Sequence, residues 1–397
     1  MALRVALVSD WYLPRLGGLE LFLNDLAIRL GDGGFIPEVL TPIPGPTELN
    51  GVIVHRLCDY AAPNGGYRFP PSPHAANFTD MLYLGDLFFG RHRPSALEQL
   101  KAHLTGGGYD VVHVHLGNTP FAYLAVNMCI KLGLPAVATF HSLLSGPERP
   151  LAWLAAKALG CANWSHHIEL TAVSGVAAEM RSIMVGNAPF GILHNAIDTD
   201  WWRRAGRDAA AMGQRIELAA ALRLHPRKRP MLLLDAMAKL KELNLPARLR
   251  IAGTGPLLGD ITKRIERLGL GNSIELCGQL SREGLASLFA GSDLFLAPTR
   301  LESFGLAALE ARAAGLPVLG MRQSGVRDFL KDGVDSLLAD SDAAFVNDVA
   351  RFASDATLRQ TLAAGSQVPL SGYSWHDLIK ACGESYNRAI ALSAWVG

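Results

Sequence analysis

A chain of 397 residues, 49% of them hydrophobic and 40 of them glycine, is too long for one ordinary core and suits two domains. A formal charge of +1 excludes a dedicated nucleic-acid binder, whose affinity comes from a strong basic field, and suits small ligands. The five cysteines (Cys58, Cys129, Cys161, Cys277, Cys382) show no CxxC spacing, so neither a metal site nor a disulfide framework is expected, and a cytoplasmic setting is.

The chain opens on RVALVS, an apolar run too short for the core of a secretory signal and better read as a first β-strand. Nowhere do about 18 apolar residues run uninterrupted, so a soluble protein is expected, with membrane contact peripheral at most. Further β-branched runs follow in PEVLTP, VIVHRL, DVVHVH, AVATFH, LTAVS and GILHN. The second half continues with RIELAAAL, ARLRIAG, SIELCG, LFLAP, PVLGM and DSLLA, separated by helical segments such as PMLLLDAMAKLKEL and GPLLGDITKRIERLG. This alternation is the signature of βαβ units. It predicts an α/β fold of two doubly wound, parallel-sheet, Rossmann-like domains facing a cleft. The rhythm changes between Asn195 and Gly213, which sets the domains at residues 1–198 and 199–374. A last helix, Trp375 to Ser393 within residues 375–397, has no strand after it and is expected to cross back. The segment Tyr60 to Arg93, dense in proline, aromatics and glycine, reads as an excursion from the first domain.

In open parallel sheets ligands sit beyond the carboxyl ends of the strands, so residues there are read first for function. After the first strand, Gly17 and Gly18 precede a helix whose amide groups are suited to an anion such as a diphosphate; a plain turn explains the pair equally well. After the first strand of the second half, Arg223 and Lys228 stand five apart in ALRLHPRKRP, a spacing that also fits a solvated basic loop. After the next strand, Gly253 and Gly255 in AGTGP allow close backbone approach to a nucleotide, although such turns are common.

The stretch PTRLESFGLAALEARAAGLPV contains two acids in an otherwise apolar setting. A helix is predicted over Phe304 to Ala314, closed by Gly315 and Pro317, with Glu302 just before it and Glu310 about two turns inside. Helical geometry then separates the two acids by about 12 Å within roughly a quarter turn, so one ligand can span them. Leu306, Leu309 and Ala313 mark the expected core stripe, and Glu310 lies at its edge, where an unpaired carboxylate is costly.

Taken together, these segments and TFHS (139–142), AVS (172–174) and HNAID (194–198) resemble the retaining GT-B glycosyltransferases of family 4, in order and spacing over essentially the whole chain. The resemblance implies transfer of a hexose from a nucleotide-diphosphate sugar, UDP- or GDP-linked, to an alcohol acceptor (a sugar, lipid or secondary metabolite) with retained anomeric configuration. No cofactor or metal is implied. Arg223 and Lys228 are implied to hold the leaving diphosphate, Glu310 the ribose, and Glu302 the donor sugar, with Ser303, Phe304, Gly305 and Leu306 supplying backbone at the helix start. His141 is implied to contact the donor sugar. Gly17, Gly18, Asn195, Gly253 and Gly255 are implied to line the nucleotide side. His113 and His115 carry no assigned role and read equally well as core residues. The chain departs from the family pattern at Leu222, His194, Ala196 and the segment SGVRD (Ser324 to Asp328), none of which removes a charged group. Retention of the charged set weighs against a catalytically silent binding or regulatory subunit, and no lysine context for pyridoxal, as a GT-B phosphorylase needs, is visible.

Overall fold

A computed structural model describes residues 2–15, 17–57, 92–117, 120–144, 149–186, 188–205 and 215–396. Residues 60–91 of the proposed excursion, and residues 206–214 of the connection between the two halves, lie outside the described residues. The chain divides into two compact units: Met1–Asn195 with Trp375–Gly397, and Ala196–Ser374.

The first unit is built on an eight-stranded sheet of order β3-β4-β2-β1-β5-β6-β7-β8. Its strands are β1 (Arg4–Ser9), β2 (Ile36–Thr41), β3 (Glu48–Leu49), β4 (Val52–Arg56), β5 (Val111–Leu116), β6 (Ala136–Phe140), β7 (Glu169–Ala172) and β8 (Gly191–Ile192). All pairings are parallel except β3 with β4. The central strands β5 and β6 are buried along their whole length, including the polar His113, His115 and Thr139. Helices α1 (Gly18–Asp32), α2 (His92–Gly106), α3 (Pro120–Leu132), α4 (Arg149–Ala158) and α5 (Gly175–Val185) belong to the same unit. The strand read in GILHN is only two residues long, because β8 is an edge strand with β7 as its single neighbour.

The second unit begins with the short helix α6 (Thr199–Arg204) and carries a six-stranded parallel sheet of order β11-β10-β9-β12-β13-β14. Its strands are β9 (Ile216–Ala221), β10 (Ala247–Ala252), β11 (Ile274–Gly278), β12 (Leu294–Ala297), β13 (Val318–Met321) and β14 (Ser336–Ala339). Between them run α7 (Pro230–Glu242), α8 (Leu258–Leu268), α9 (Arg282–Ala290) and α10 (Leu306–Ala313), followed by α11 (Asp342–Ser354) and α12 (Ala356–Ser366). Leu218, Leu249, Ile251, Leu294, Leu319, Leu233, Leu234 and Phe345, all essentially inaccessible, form its core. The long final helix α13 (Trp375–Val396) returns to the first unit. There Trp375 stacks on Phe22, Tyr386 meets Phe35 edge-on, and Arg388 pairs with Glu169 at 2.7 Å.

Candidate active site

In the second sheet, strand order reverses between β9 and β12, and the residues beyond their carboxyl ends meet there. Lys228, in the turn after β9, donates to Glu302 in the loop after β12 at 2.5 Å. The same two loops are tied by Thr299 Oγ1 donating to the Lys228 carbonyl (3.2 Å) and by Arg229 donating to the Pro298 carbonyl (3.1 Å). Arg229 sits at φ 58°, a left-handed residue that ends the turn and starts α7, and its guanidinium also pairs with Asp342. Arg223 is exposed and makes no ion pair with any described residue.

Gly253 and Gly255 are required by packing within the unit itself. A Cβ on Gly253, at φ 130°, would overlap the Leu222 carbonyl, and one on Gly255 would meet the Leu224 backbone. The two loops are zipped by backbone hydrogen bonds: Leu222 N to the Ala252 carbonyl (3.0 Å), Leu224 N to the Thr254 carbonyl (2.9 Å) and Leu257 N to the Leu224 carbonyl (2.9 Å). Glycine is therefore required for the β10 loop to lie against the backbone that carries Arg223.

The helix bearing Glu310 starts at Leu306, two residues later than the sequence predicts. Gly305 has a left-handed φ of 97°, which breaks the helical path, so the helical-wheel relation drawn between Glu302 and Glu310 does not apply. Glu310 is the fifth residue of α10, about one turn inside. The buried side of α10 consists of Ala308, Leu309, Ala311 and Arg312, whereas Leu306 and Ala313 of the expected stripe are only partly buried. Arg312 is neutralised by Asp335 at 3.0 Å and caps carbonyls of α12 and the residues after it. Phe304 is buried against Phe329 and Tyr373, so only its backbone is available to the site. Gly325 presses on the Ser303 carbonyl and donates its own N–H to the Glu302 carbonyl at 2.8 Å, fixing the loop that presents the first acid.

Glu310 accepts no hydrogen bond at its carboxylate from the described residues. Burial pushes its carboxyl up to about 7, only partly opposed by the guanidinium of Arg282. Arg282 lies over the Trp201 ring at 3.9 Å and 3.9 Å from Asp198. Arg282 escapes sequence reasoning because it opens an unremarkable helix; the paired tryptophans 201 and 202 are the only hint.

In the first unit, Gly17 is the residue before α1, and Glu20 folds back over it to pair with Arg15. The start of α1 thus already holds a carboxylate of the chain itself, while Gly18 faces open space. Asn195 is 9% exposed, and its Oδ1 finds no hydrogen-bond partner among the described residues. His141 follows β6 and is partly buried; its Nε2 lies 2.9 Å from Nδ1 of His115. His113 and His115 project from one face of β5 with their rings 4.1 Å apart. Burial lowers His113 and His141 to about 3 and His115 well below its ordinary range, so all three are neutral at physiological pH.

Two family patterns match the chain: one described as Glycosyl transferases group 1 over residues 209–367, the other as Glycosyltransferase Family 4 over residues 16–201. The chain belongs to glycosyltransferase family 4. It is accordingly a glycosyltransferase of GT-B fold. The D-inositol 3-phosphate glycosyltransferase 1 of Catenulispora acidiphila is 27% identical, over 94% of this chain and 91% of its own. The phosphatidyl-myo-inositol mannosyltransferase of Mycobacterium tuberculosis is 26% identical, over 94% and 93%. Among solved structures, Anabaena HepE in complex with UDP and glucose superposes with a TM-score of 0.70 at 18% identity, covering 97% of this chain and 99% of that one. The sucrose-phosphate synthase of Thermosynechococcus elongatus reaches 0.72 at 19%, covering 98% and 99%. Among the described residues no helix is long and apolar enough to cross a membrane, and no group of three or more His, Cys, Asp or Glu side chains could hold a metal ion.

Proposed function

We propose that the protein transfers a hexose from a UDP- or GDP-sugar to an alcohol acceptor with retention of anomeric configuration and without a metal ion. The observation that carries the donor reading is Glu310. A half-buried carboxyl raised to about 7, with no hydrogen-bond donor from the described residues, is suited to a ligand that supplies hydroxyl groups, as a ribose does. Arg223, exposed and unpaired among the described residues, and Lys228 are the cations for the diphosphate, and they stabilise the charge that grows on the leaving oxygen. Lys228 and Glu302 neutralise one another. Donor binding exchanges that pairing for Lys228 on phosphate and Glu302 on a sugar hydroxyl. His141 contacts the transferred sugar. In a retaining reaction of this type, the leaving phosphate accepts the acceptor proton on the same face of the sugar, so no separate carboxylate base is required.

The names of the relatives make inositol phosphates and phosphatidylinositol the first acceptors to test. The test is a matrix of UDP-, GDP- and ADP-sugars against these acceptors, with and without chelator, and the anomeric configuration of the product read by NMR. A product of retained configuration that forms equally in chelator supports the reading. An inverted product, or a strict need for added divalent metal, overturns it.

A further inference from the structure

We propose that His115 is a positioning residue that fixes His141 in the tautomer carrying its proton on Nδ1. The proposal rests on the reading of His141 as the sugar contact for its consequence in catalysis, but on the first unit alone for its geometry. His115 Nδ1 and His141 Nε2 face each other at 2.9 Å, and one of the two nitrogens must carry the shared proton. The other ring nitrogen of His115, Nε2, is buried and has no hydrogen-bond partner among the described residues. If His141 donated, the His115 proton would be forced onto that enclosed Nε2 as an orphaned N–H. If His115 donates from Nδ1, only a bare lone pair is left unpaired at Nε2. Orphaned buried donors are the rarer and costlier case, so His115 donates, His141 Nε2 accepts, and His141 Nδ1 carries the remaining proton. The nitrogen that faces away from His115 is then a hydrogen-bond donor, suited to an oxygen of the sugar.

The ring of His115 is itself held by a clamp. It stacks 4.1 Å from His113, which is bonded at both nitrogens: Tyr386 of α13 lies 3.0 Å from Nδ1, and Thr139 of β6 lies 2.7 Å from Nε2. Thr139 reaches Thr171 at 2.5 Å, and Thr171 donates to the Ala138 carbonyl at 3.4 Å. With Thr171 donating to the Ala138 carbonyl, the chain runs one way. Tyr386 donates to His113, His113 to Thr139, Thr139 to Thr171, and Thr171 to the carbonyl. The neutral state that the arrangement requires agrees with the depressed proton affinity of all three imidazoles, for which burial is the main cause.

The test is two-bond 1H–15N correlation of the full-length protein labelled at histidine, with His141 assigned from the spectrum of His141→Ala. The expected result is His141 protonated on Nδ1 in the wild type. His115→Asn, whose amide keeps a donor near the Nδ1 position, should retain that state and transfer sugar at nearly the wild-type rate. His115→Phe, which keeps a stacking ring without nitrogen, should release the tautomer and lower kcat by about tenfold or more at unchanged donor KM. A wild-type His141 protonated on Nε2 overturns the proposal even if the phenylalanine variant does not fold, and so does a folded His115→Phe whose His141 tautomer is unmoved. Because the spectrum is taken without substrate, failure of the sugar-contact reading has its own signature, which is undiminished transfer by His141→Ala.

Discussion

The histidine cluster of the first unit and the charged loops of the second handle their polar groups in opposite ways. In the first, Tyr386, His113, Thr139 and Thr171 form a hydrogen-bonded chain, and His115 and His141 are paired beside it, so that of the ring nitrogens turned into the cluster only His115 Nε2 is left without a partner among the described residues. In the second, Glu310 has no hydrogen-bond partner at its carboxylate among the described residues, Arg223 has no ion pair there, and Lys228 and Glu302 hold only each other. A closed network rigidifies and orients; open charges wait for a ligand and cost stability until it arrives. On the proposed reading, the histidine cluster is arranged before donor binding, and the charged loops are completed by it.

The sharpest way to break this contrast is to remove the open charges. Arg223→Ala and Lys228→Ala are each expected to lower turnover by on the order of 10²-fold to 10³-fold, with thermal unfolding moved little, since neither residue is buried. Turnover within a few-fold of wild type in both would mean that the open charges are ordinary surface.

Gly253→Ala attacks the support of Arg223 instead of its charge. The added Cβ collides with the Leu222 carbonyl in a backbone conformation that alanine avoids, and a loss of about 3 kcal/mol in folding stability is expected by denaturant titration. Unchanged stability would show that the two loops are not bound to one another as described.

Glu310→Gln separates cost from purpose. Nucleoside diphosphate binding measured by calorimetry should weaken by about 1.5–3 kcal/mol. Stability should change in the opposite direction. The folded carboxyl titrates at about 7, above its ordinary value of 4.5, so its favourable contribution is complete below 4.5 and is lost as pH rises through 7. The glutamine variant escapes that loss and should be more stable than wild type at pH 8 by up to about 3 kcal/mol, the gap closing by pH 4.5. A variant less stable than wild type at pH 8 would mean that the carboxylate is satisfied within the protein.

The smallest effect is expected where the network is closed. Tyr386→Phe leaves His113 Nδ1 without its donor and should cost about 1 kcal/mol. The pH sign here is the reverse of that for Glu310. The three histidines titrate below 6.5 when folded, so their share of stability is complete above 6.5 and is lost as pH falls towards 3. Acid unfolding that begins above pH 6.5 would contradict a neutral cluster.

The sequence makes the α/β architecture legible because buried parallel strands such as β1 and β6 are short, largely apolar runs, and helix stops such as Gly315 and Pro317 are local signals. What is hidden from sequence is contact between distant loops. Gly253 reads as a place of close backbone approach, but nothing local shows that the Leu222 backbone is what lies against it, and the late start of α10 depends on the left-handed turn at Gly305. The role of His113 is still further from view, since its partner Tyr386 lies 273 residues away in the chain. The alternating histidines of DVVHVH show a shared face, but not what covers it.

Helix α13 has a consequence for how the protein is made. The first unit is interrupted at Asn195 and resumes at Trp375, so the tyrosine that bonds His113 is synthesised 191 residues after Asn195 (386 minus 195). At about 5–20 residues per second, a ribosome needs roughly 10–40 s to cover that distance. During this interval the sheet face bearing His113 and His115 lacks its final helix, while the whole of the second unit emerges and can fold. Nascent chains stalled before residue 375 should therefore expose that face to a chaperone or protease, and chains released past residue 396 should not.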